Sequence, residues 1–188
     1  MNATILYETI NDVPLSSSIN SALTHTFGNV SNVSLIEIIK ENIKPCIGCF
    51  GCWIKNPGQC MIKNDLTTMT TPAFVQSDVM VIVSSIHYGS YSATMKRVID
   101  RSIPNILPFF RQYKNEVHHQ MRYKKLARQI ILAYGDNLTT AEKETFIKLT
   151  KANATNFGIN DPTVYFCNTT EDIHPILSQI QTQLQINQ

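Results

Sequence analysis

The sequence predicts an α/β domain: a doubly wound, five-stranded parallel sheet with helices on both faces. Three observations predict it. Short apolar runs alternate with helix-period stretches along the whole chain, the pattern of a parallel sheet covered on both sides. The run at residues 78–84, Asp-Val-Met-Val-Ile-Val-Ser, is apolar almost throughout, as a strand buried on both faces requires. The length of 188 residues is that of one domain, and a chain of this size buries a core without disulfides or metals.

The elements follow in order. Residues 4–7 form a first strand. The hydroxyls of Ser16, Ser17 and Ser18 are candidate caps for a helix carrying Ile19, Ala22, Leu23 and Phe27, which Gly28 ends. Residues 33–39 are β-branched and form the second strand. Residues 45–65 carry four cysteines among glycines and prolines, which predicts a loop. A helical pattern over 64–76 is interrupted by Pro72. The strand at 78–84 is third; a loop at 86–91 and a helix at 93–103, stopped by Pro104, follow it. Residues 128–132 are the fourth strand, 139–157 a helix capped by Thr139 or Thr140 with Glu142 in its first turn, 163–167 the fifth strand, and 170–184 the last helix. Residues 105–125 fit no such unit and are read as an insertion in a single domain, 1–188, that packs at an interface.

Composition excludes several classes of function. A net charge of +2 argues against nucleic acid as a partner, and Arg122, Lys124, Lys125 and Arg128 read as a solvated face. No stretch reaches the roughly 18 apolar residues that a membrane span needs. The first residues lack the basic and apolar regions of a signal peptide, so a cytoplasmic protein is expected. Cys46, Cys49, Cys52 and Cys60 are crowded together and Cys167 stands apart. In a reducing compartment such clustering points to metal, cluster or redox chemistry.

Five strands suit the order 2-1-3-4-5, and ligands of such sheets bind at the carboxyl ends of the strands, where the order reverses. That places a site between the loops at 8–18 and 84–91. In the first, a helix start and the hydroxyls of Thr9, Ser16, Ser17 and Ser18 suit a phosphate, although the loop has no glycine. In the second, Tyr88 and Tyr91 can cover a flat ring, and Gly89 lets backbone come close to it.

Two segments carry a resemblance. The first is Pro45-Cys-Ile-Gly-Cys-Phe-Gly-Cys-Trp-Ile-Lys-Asn-Pro-Gly-Gln-Cys60, continuing to Asp65. The second runs from Ser77-Asp78 through Ser85, Tyr88-Gly89, Ser92, Lys96 and Asp100-Arg101. Together they resemble the flavodoxin-like NAD(P)H-dependent FMN reductases, a family that includes the iron–sulfur flavoprotein branch. The resemblance implies the flavodoxin-like fold, FMN as cofactor, NAD(P)H as electron donor, and a homodimer. It implies that Ile86, His87, Tyr88, Gly89 and Tyr91 lie along the flavin ring, that Ser16 and Ser18 lie near the phosphate, and that Tyr134 and Gly135 approach the ring from the other side. The implied reaction is hydride transfer from NAD(P)H through FMN to a small acceptor such as flavin or quinone. Residues 8–14 depart from the family's Gly-Ser-Pro-Arg-like stretch: the arginine is absent and an acidic residue has entered.

Four thiolates can hold a [4Fe–4S] cluster, and Cys46, Cys49, Cys52 and Cys60 have compact spacing for one. Zinc is an alternative. The reading preferred over both is that these cysteines hold no metal. Cys167, within a strand, reads as a small buried hydrophobe. The pair His118-His119, with Arg122 and Tyr123, is read as structural, as part of a dimer contact, or as a wall of the site, in preference to a metal site. Two further functions stand beside the reductase: an iron–sulfur flavoprotein electron carrier, and a binding module of the same fold that has lost its flavin.

Overall fold

The chain from Val79 to Ile86 is buried at every position, and it forms the centre of the sheet. The structure, a computed structural model, describes residues 1–11 and 13–185. In chain order its elements are β1 (Ala3–Glu8), α1 (Pro14–Phe27), β2 (Val33–Ile38), α2 (Gly51–Ile54), α3 (Thr67–Gln76), β3 (Val79–His87), β4 (Ser90–Tyr91), α4 (Ala93–Asp100), β5 (Ile106–Tyr113), β6 (Glu116–Met121), β7 (Arg128–Tyr134), α5 (Thr140–Asn156), β8 (Thr163–Cys167) and α6 (Ile173–Gln183). The strands β2-β1-β3-β7-β8 pair in parallel in that order. This is the expected 2-1-3-4-5 arrangement, with its reversal between β1 and β3.

Both faces are covered. Ile19, Leu23 and Phe27 of α1 and Ile176, Leu177 and Ile180 of α6 pack on one face, over Ile5, Val81 and Leu132. Phe74 of α3, Met95 and Val98 of α4 and Phe146 of α5 pack on the other, over Leu6, Ile82 and Ile131. Among the described residues, no helix is long and apolar enough to cross a membrane.

Several local expectations are corrected. The serines do not cap α1: Val13 is the cap residue, without a side-chain bond, and Pro14 starts the helix, where its fixed φ suits the first position. The cysteine segment is not all loop. It contains α2, a single turn in which Ile54 and Lys55 N–H return to the Phe50 and Gly51 carbonyls. Pro72 does not interrupt α3. Burial of Ala73 and Phe74 keeps the chain helical, and the missing N–H falls opposite the exposed Thr68.

Residues 86–91 are not a loop but a hairpin, because β3 continues to His87 and turns back into β4. Helix α4 stops at Asp100, ahead of a 3-10 turn over Ile103–Asn105 that has Pro104 at its second position. The unassigned stretch at 105–125 is a second hairpin. Its strands β5 and β6 pair antiparallel around Lys114 and Asn115, both with positive φ. β7 extends to Tyr134. The last helix begins as a 3-10 turn over Thr170–Asp172, with the Asp172 carboxylate accepting from Asn168 and Thr169 N–H.

Candidate active site

The reversal point is filled by a connected polar cluster. Glu8 ends β1 with its side chain fully buried. One carboxylate oxygen accepts the Ser85 N–H from β3, and the other accepts the hydroxyl of Ser92. Ser92 in turn caps α4 by accepting the Met95 N–H at 3.0 Å. Tyr134, at the end of β7, donates its hydroxyl to Ser16 Oγ at 3.2 Å, and Ser16 Oγ also accepts the Ile10 N–H at 3.2 Å. Burial first, and the Glu8 carboxylate second, push the Tyr134 phenol well above its ordinary value, so it remains a donor. The cluster therefore joins β1, β3, β7, α1 and α4, and satisfies its own polar groups as a buried network must.

Beside it stands the hairpin tip. Tyr88 and Gly89 have φ of 52° and 74°, the two positive values of a type I′ turn. Gly89 is buried against α5, where a Cβ would lie 2.7 Å from that of Thr145. Tyr88 is carried outward and is 95% exposed. His87 is also exposed and reaches Ser85 Oγ at 3.1 Å. On the far side Gly135 donates its N–H to the Cys167 carbonyl at 3.2 Å and lies close to the Ile86 carbonyl. Of the residues expected along a ring, His87, Tyr88 and Gly135 thus lie at the carboxyl edge of the sheet. Ile86 and Tyr91 lie in the core, where Tyr91 meets Phe146 edge-on with ring centroids 4.8 Å apart. Burial raises the Tyr91 phenol well above its ordinary value.

The residues expected near a phosphate are placed differently from one another. The Thr9 hydroxyl donates to Glu37 at 2.5 Å and accepts from Asn20 at 2.9 Å. Ser16 is fully buried within the cluster. Ser18 is half-buried on the side of α1 that faces His174 of α6.

The four clustered cysteines form a second locale. All of them line one cavity with Phe50, Met61 and Arg101. Cys46 and Cys49 are exposed, Cys60 is half-buried and Cys52 is buried. Burial and then the neighbouring Cys60 raise the Cys52 thiol above its ordinary value. Among the described residues, no three His, Cys, Asp or Glu side chains converge closely enough to hold a metal ion. Arg101, 1% exposed, clamps both ends of this segment. It donates to the Lys44 carbonyl at 2.7 Å, to the Ile62 carbonyl at 3.0 Å and to both oxygens of Asp65 at 3.0 and 3.2 Å. Cys167 is buried at the end of β8, its thiol pushed up to about 11 by burial and by Asp172.

The cavity touches Asp100 and Arg101, at the end of α4 opposite to Ser92. The two locales are therefore separated by the eight residues of that helix, about 12 Å at the usual rise. His118 and His119 are strand neighbours on opposite faces. His118 bridges Asn156 and Glu116, and His119 bonds the Leu107 carbonyl at 2.8 Å. Their contacts hold the second hairpin to itself and to α5. Reasoning from the sequence missed Glu8 as the hub of the first locale and Arg101 as the clamp of the second. A lone acid at the end of an apolar strand was the available signal for Glu8.

Comparison with known proteins gives a consistent picture. The family model described as NADPH-dependent FMN reductase matches residues 14–135. An iron–sulfur flavoprotein of Methanocaldococcus jannaschii is 32% identical over 82 residues, which cover 44% of this chain and 40% of that protein. The match thus spans well under half of that relative's length. Among solved structures, an NAD(P)H:quinone oxidoreductase from Methanothermobacter marburgensis superposes with a TM-score of 0.63 at 10% identity, over 96% of each chain. An azoreductase from Bacillus anthracis gives 0.58 at 12% identity, over 97% of this chain and 94% of its own. At such identities the likeness is one of fold.

Proposed function

Since the chain belongs to the NADPH-dependent FMN reductase family, we propose that it is a flavin oxidoreductase that passes hydride from NAD(P)H through a bound flavin to a small acceptor such as a free flavin or a quinone. The observation that carries this reading is the hairpin tip at the sheet reversal. An almost fully exposed aromatic, Tyr88, is held there by a turn whose glycine is locked against α5.

The residues present suit the ring of a flavin. Tyr88 supplies an aromatic face, while Gly135 keeps side-chain bulk away from the opposite side. His87, with one ring nitrogen on Ser85 Oγ, is a titratable side chain beside that face. When bound, a flavin supplies the two-electron chemistry, and the protein supplies position and electrostatics. Tyr88 would then orient the ring, and Glu8, bonded to Ser85 of β3 and to Ser92 at the start of α4, holds those two elements to β1. The net reaction takes one hydride from NAD(P)H and one proton from solvent and delivers both to the acceptor.

A second reading, an electron carrier that also holds an iron–sulfur cluster, is favoured by one observation: Cys46, Cys49, Cys52 and Cys60 all face one cavity. The donor set is right in kind for a [4Fe–4S] cluster, but the thiols do not converge in this arrangement. The cytoplasm is the proposed location, because five free thiols suit a reducing compartment, and a second copy of the chain is the proposed partner. One experiment separates the readings: the visible spectrum of anaerobically purified protein. Flavin bands that bleach on addition of NADPH are expected. A broad brown absorbance with stoichiometric iron and sulfide would favour the carrier. Colourless protein that takes up no added flavin would leave a binding module and sink the reductase.

A further inference from the structure

We propose that Cys60 and Cys52 form a thiol–disulfide exchange site, in which Cys60 takes up half of a small carboxylate-bearing disulfide and Cys52 then displaces it. The site does not depend on a flavin. It rests on two adjoining spaces that share Cys60 as a wall.

The inner space is the cavity lined by all four clustered cysteines, and its volume is about 20 Å³. A single water fills such a space. It therefore holds no substrate, and the chemistry open to it is between its own thiols. The outer space adjoins it at Cys60 and Ile62, which line both. Its volume is about 350 Å³, within the range of small-molecule sites. Of the four clustered cysteines, Cys60 is the one that lines both spaces.

The loop brings Cys52 close to Cys60. Gly58, at a φ of 85°, turns the chain, and its N–H donates to the Cys52 carbonyl at 2.9 Å. Cys60 lies two residues beyond that closure. Of the three neighbouring thiols, Cys60 raises the Cys52 thiol most, as the nearest charge does. Cys60 is half-buried and Cys52 buried. One thiol can be met from the outer pocket, and the other does not line it.

The outer pocket also carries groups that recognise a ligand. Lys63 stands in its wall, exposed, and makes no ion pair among the described residues. Arg122 packs behind Gly58, where a Cβ would lie 3.4 Å from Arg122 Cδ. Gln59 and Thr68 add neutral polar groups. The acid closest in sequence, Asp65, has its side chain buried and paired with Arg101. Cations without a competing acid suit carboxylates. Cys46 and Cys49 are exposed, but neither lines the outer pocket, so they meet a small disulfide without the help of its cations.

The exchange balances without a further reagent. The Cys60 thiolate attacks one sulfur of the small disulfide. Its S–S bond breaks, and the other half takes a proton and leaves as a thiol. The Cys52 thiolate then attacks the Cys60 sulfur, and the second small thiol leaves with the second proton. Two electrons pass from the two cysteines to the small disulfide, and a Cys52–Cys60 disulfide remains.

The test is intact-mass analysis and peptide mapping of reduced, anaerobically purified protein. The probes are oxidised glutathione and cystamine, which has amines in place of carboxylates. Expected is an adduct of one glutathione on Cys60, followed by its loss and a Cys52–Cys60 bridge. Cys52→Ser, or Cys52→Ala should the serine unfold the protein, leaves the adduct in place. Cys60→Ser slows adduct formation by about tenfold, to the rate of the exposed thiols. Lys63→Ala, at an exposed position, slows the reaction with oxidised glutathione by about threefold and leaves that with cystamine unchanged or faster. A first adduct on Cys46 or Cys49, a bridge that leaves out Cys60, or equal slowing of both probes by Lys63→Ala overturns the proposal. Protein isolated with stoichiometric iron and sulfide also overturns it, since its thiols are then ligands.

Discussion

Arg101 and Asp65 show how much rests on single side chains. Their side chains are 0% and 2% exposed and make a bidentate pair. Breaking a buried pair from one side leaves the other charge without a partner, which costs about 3–5 kcal/mol. Arg101→Met is expected to lower unfolding stability by that order in urea titrations. Burial by itself would raise the Asp65 carboxyl, but bonds from Thr67, the Lys44 N–H and Arg101 hold it below its ordinary 3.8. A carboxyl lowered in the folded state stabilises at pH above its unfolded value, and loses that contribution as pH falls through the folded value. Stability is therefore expected to drop below about pH 4, and Asp65→Asn is expected to flatten that part of the pH curve. Each residue is visible in the sequence as part of a motif. Their pairing is not, because 36 positions separate them and periodicity reports only near neighbours. Glu8 was hidden for the same reason: its partners Ser85 and Ser92 lie 77 and 84 positions away.

At the scale of elements, local chemistry decided what could be read. The capping box of α5 was legible, and Thr139 and Glu142 exchange the expected bonds. The strand at 163–167 was legible because apolar β-branched and aromatic residues fill it. The hairpins were not. Their turns use Tyr88-Gly89 and Lys114-Asn115, whereas the usual signal for such turns is Asn-Gly or Asp-Gly. A tyrosine at positive φ is held there by the docking of its neighbour on α5, a tertiary effect that local sequence does not announce. Gly89→Ala tests that docking. It places a methyl group 2.7 Å from the Thr145 Cβ at a φ of 74°. A loss of about 2 kcal/mol in stability is expected, read by denaturant unfolding. Flavin affinity should fall with it as Tyr88 shifts. An unchanged affinity would separate Tyr88 from the ring.

For the whole molecule, the sheet order was legible because alternation of strand and helix admits few topologies. The role of residues 105–125 was not, since the hairpin pairs only with itself and carries no sheet-wide pattern. Its Phe109, Phe110 and Val117 are exposed, as are Ile47, Phe50 and Ile54 of the cysteine segment. Phe50 stacks on Trp53, and tilted ring contacts of Trp53 with His119 and of His119 with Phe110 link the cysteine segment to the hairpin; exposed apolar side chains on both make this region a candidate association surface. Phe109→Glu with Phe110→Glu is expected to convert a dimer to a monomer in sedimentation experiments; a wild-type monomer would remove the second copy as partner. The Arg101 clamp has a consequence at this scale too. A guanidinium joins Lys44, Ile62 and Asp65, closing a ring of chain much as a disulfide crosslink would. Because the crosslink is made of charge and not of sulfur, oxidants and reductants can change the state of the enclosed thiols while the ring stays shut.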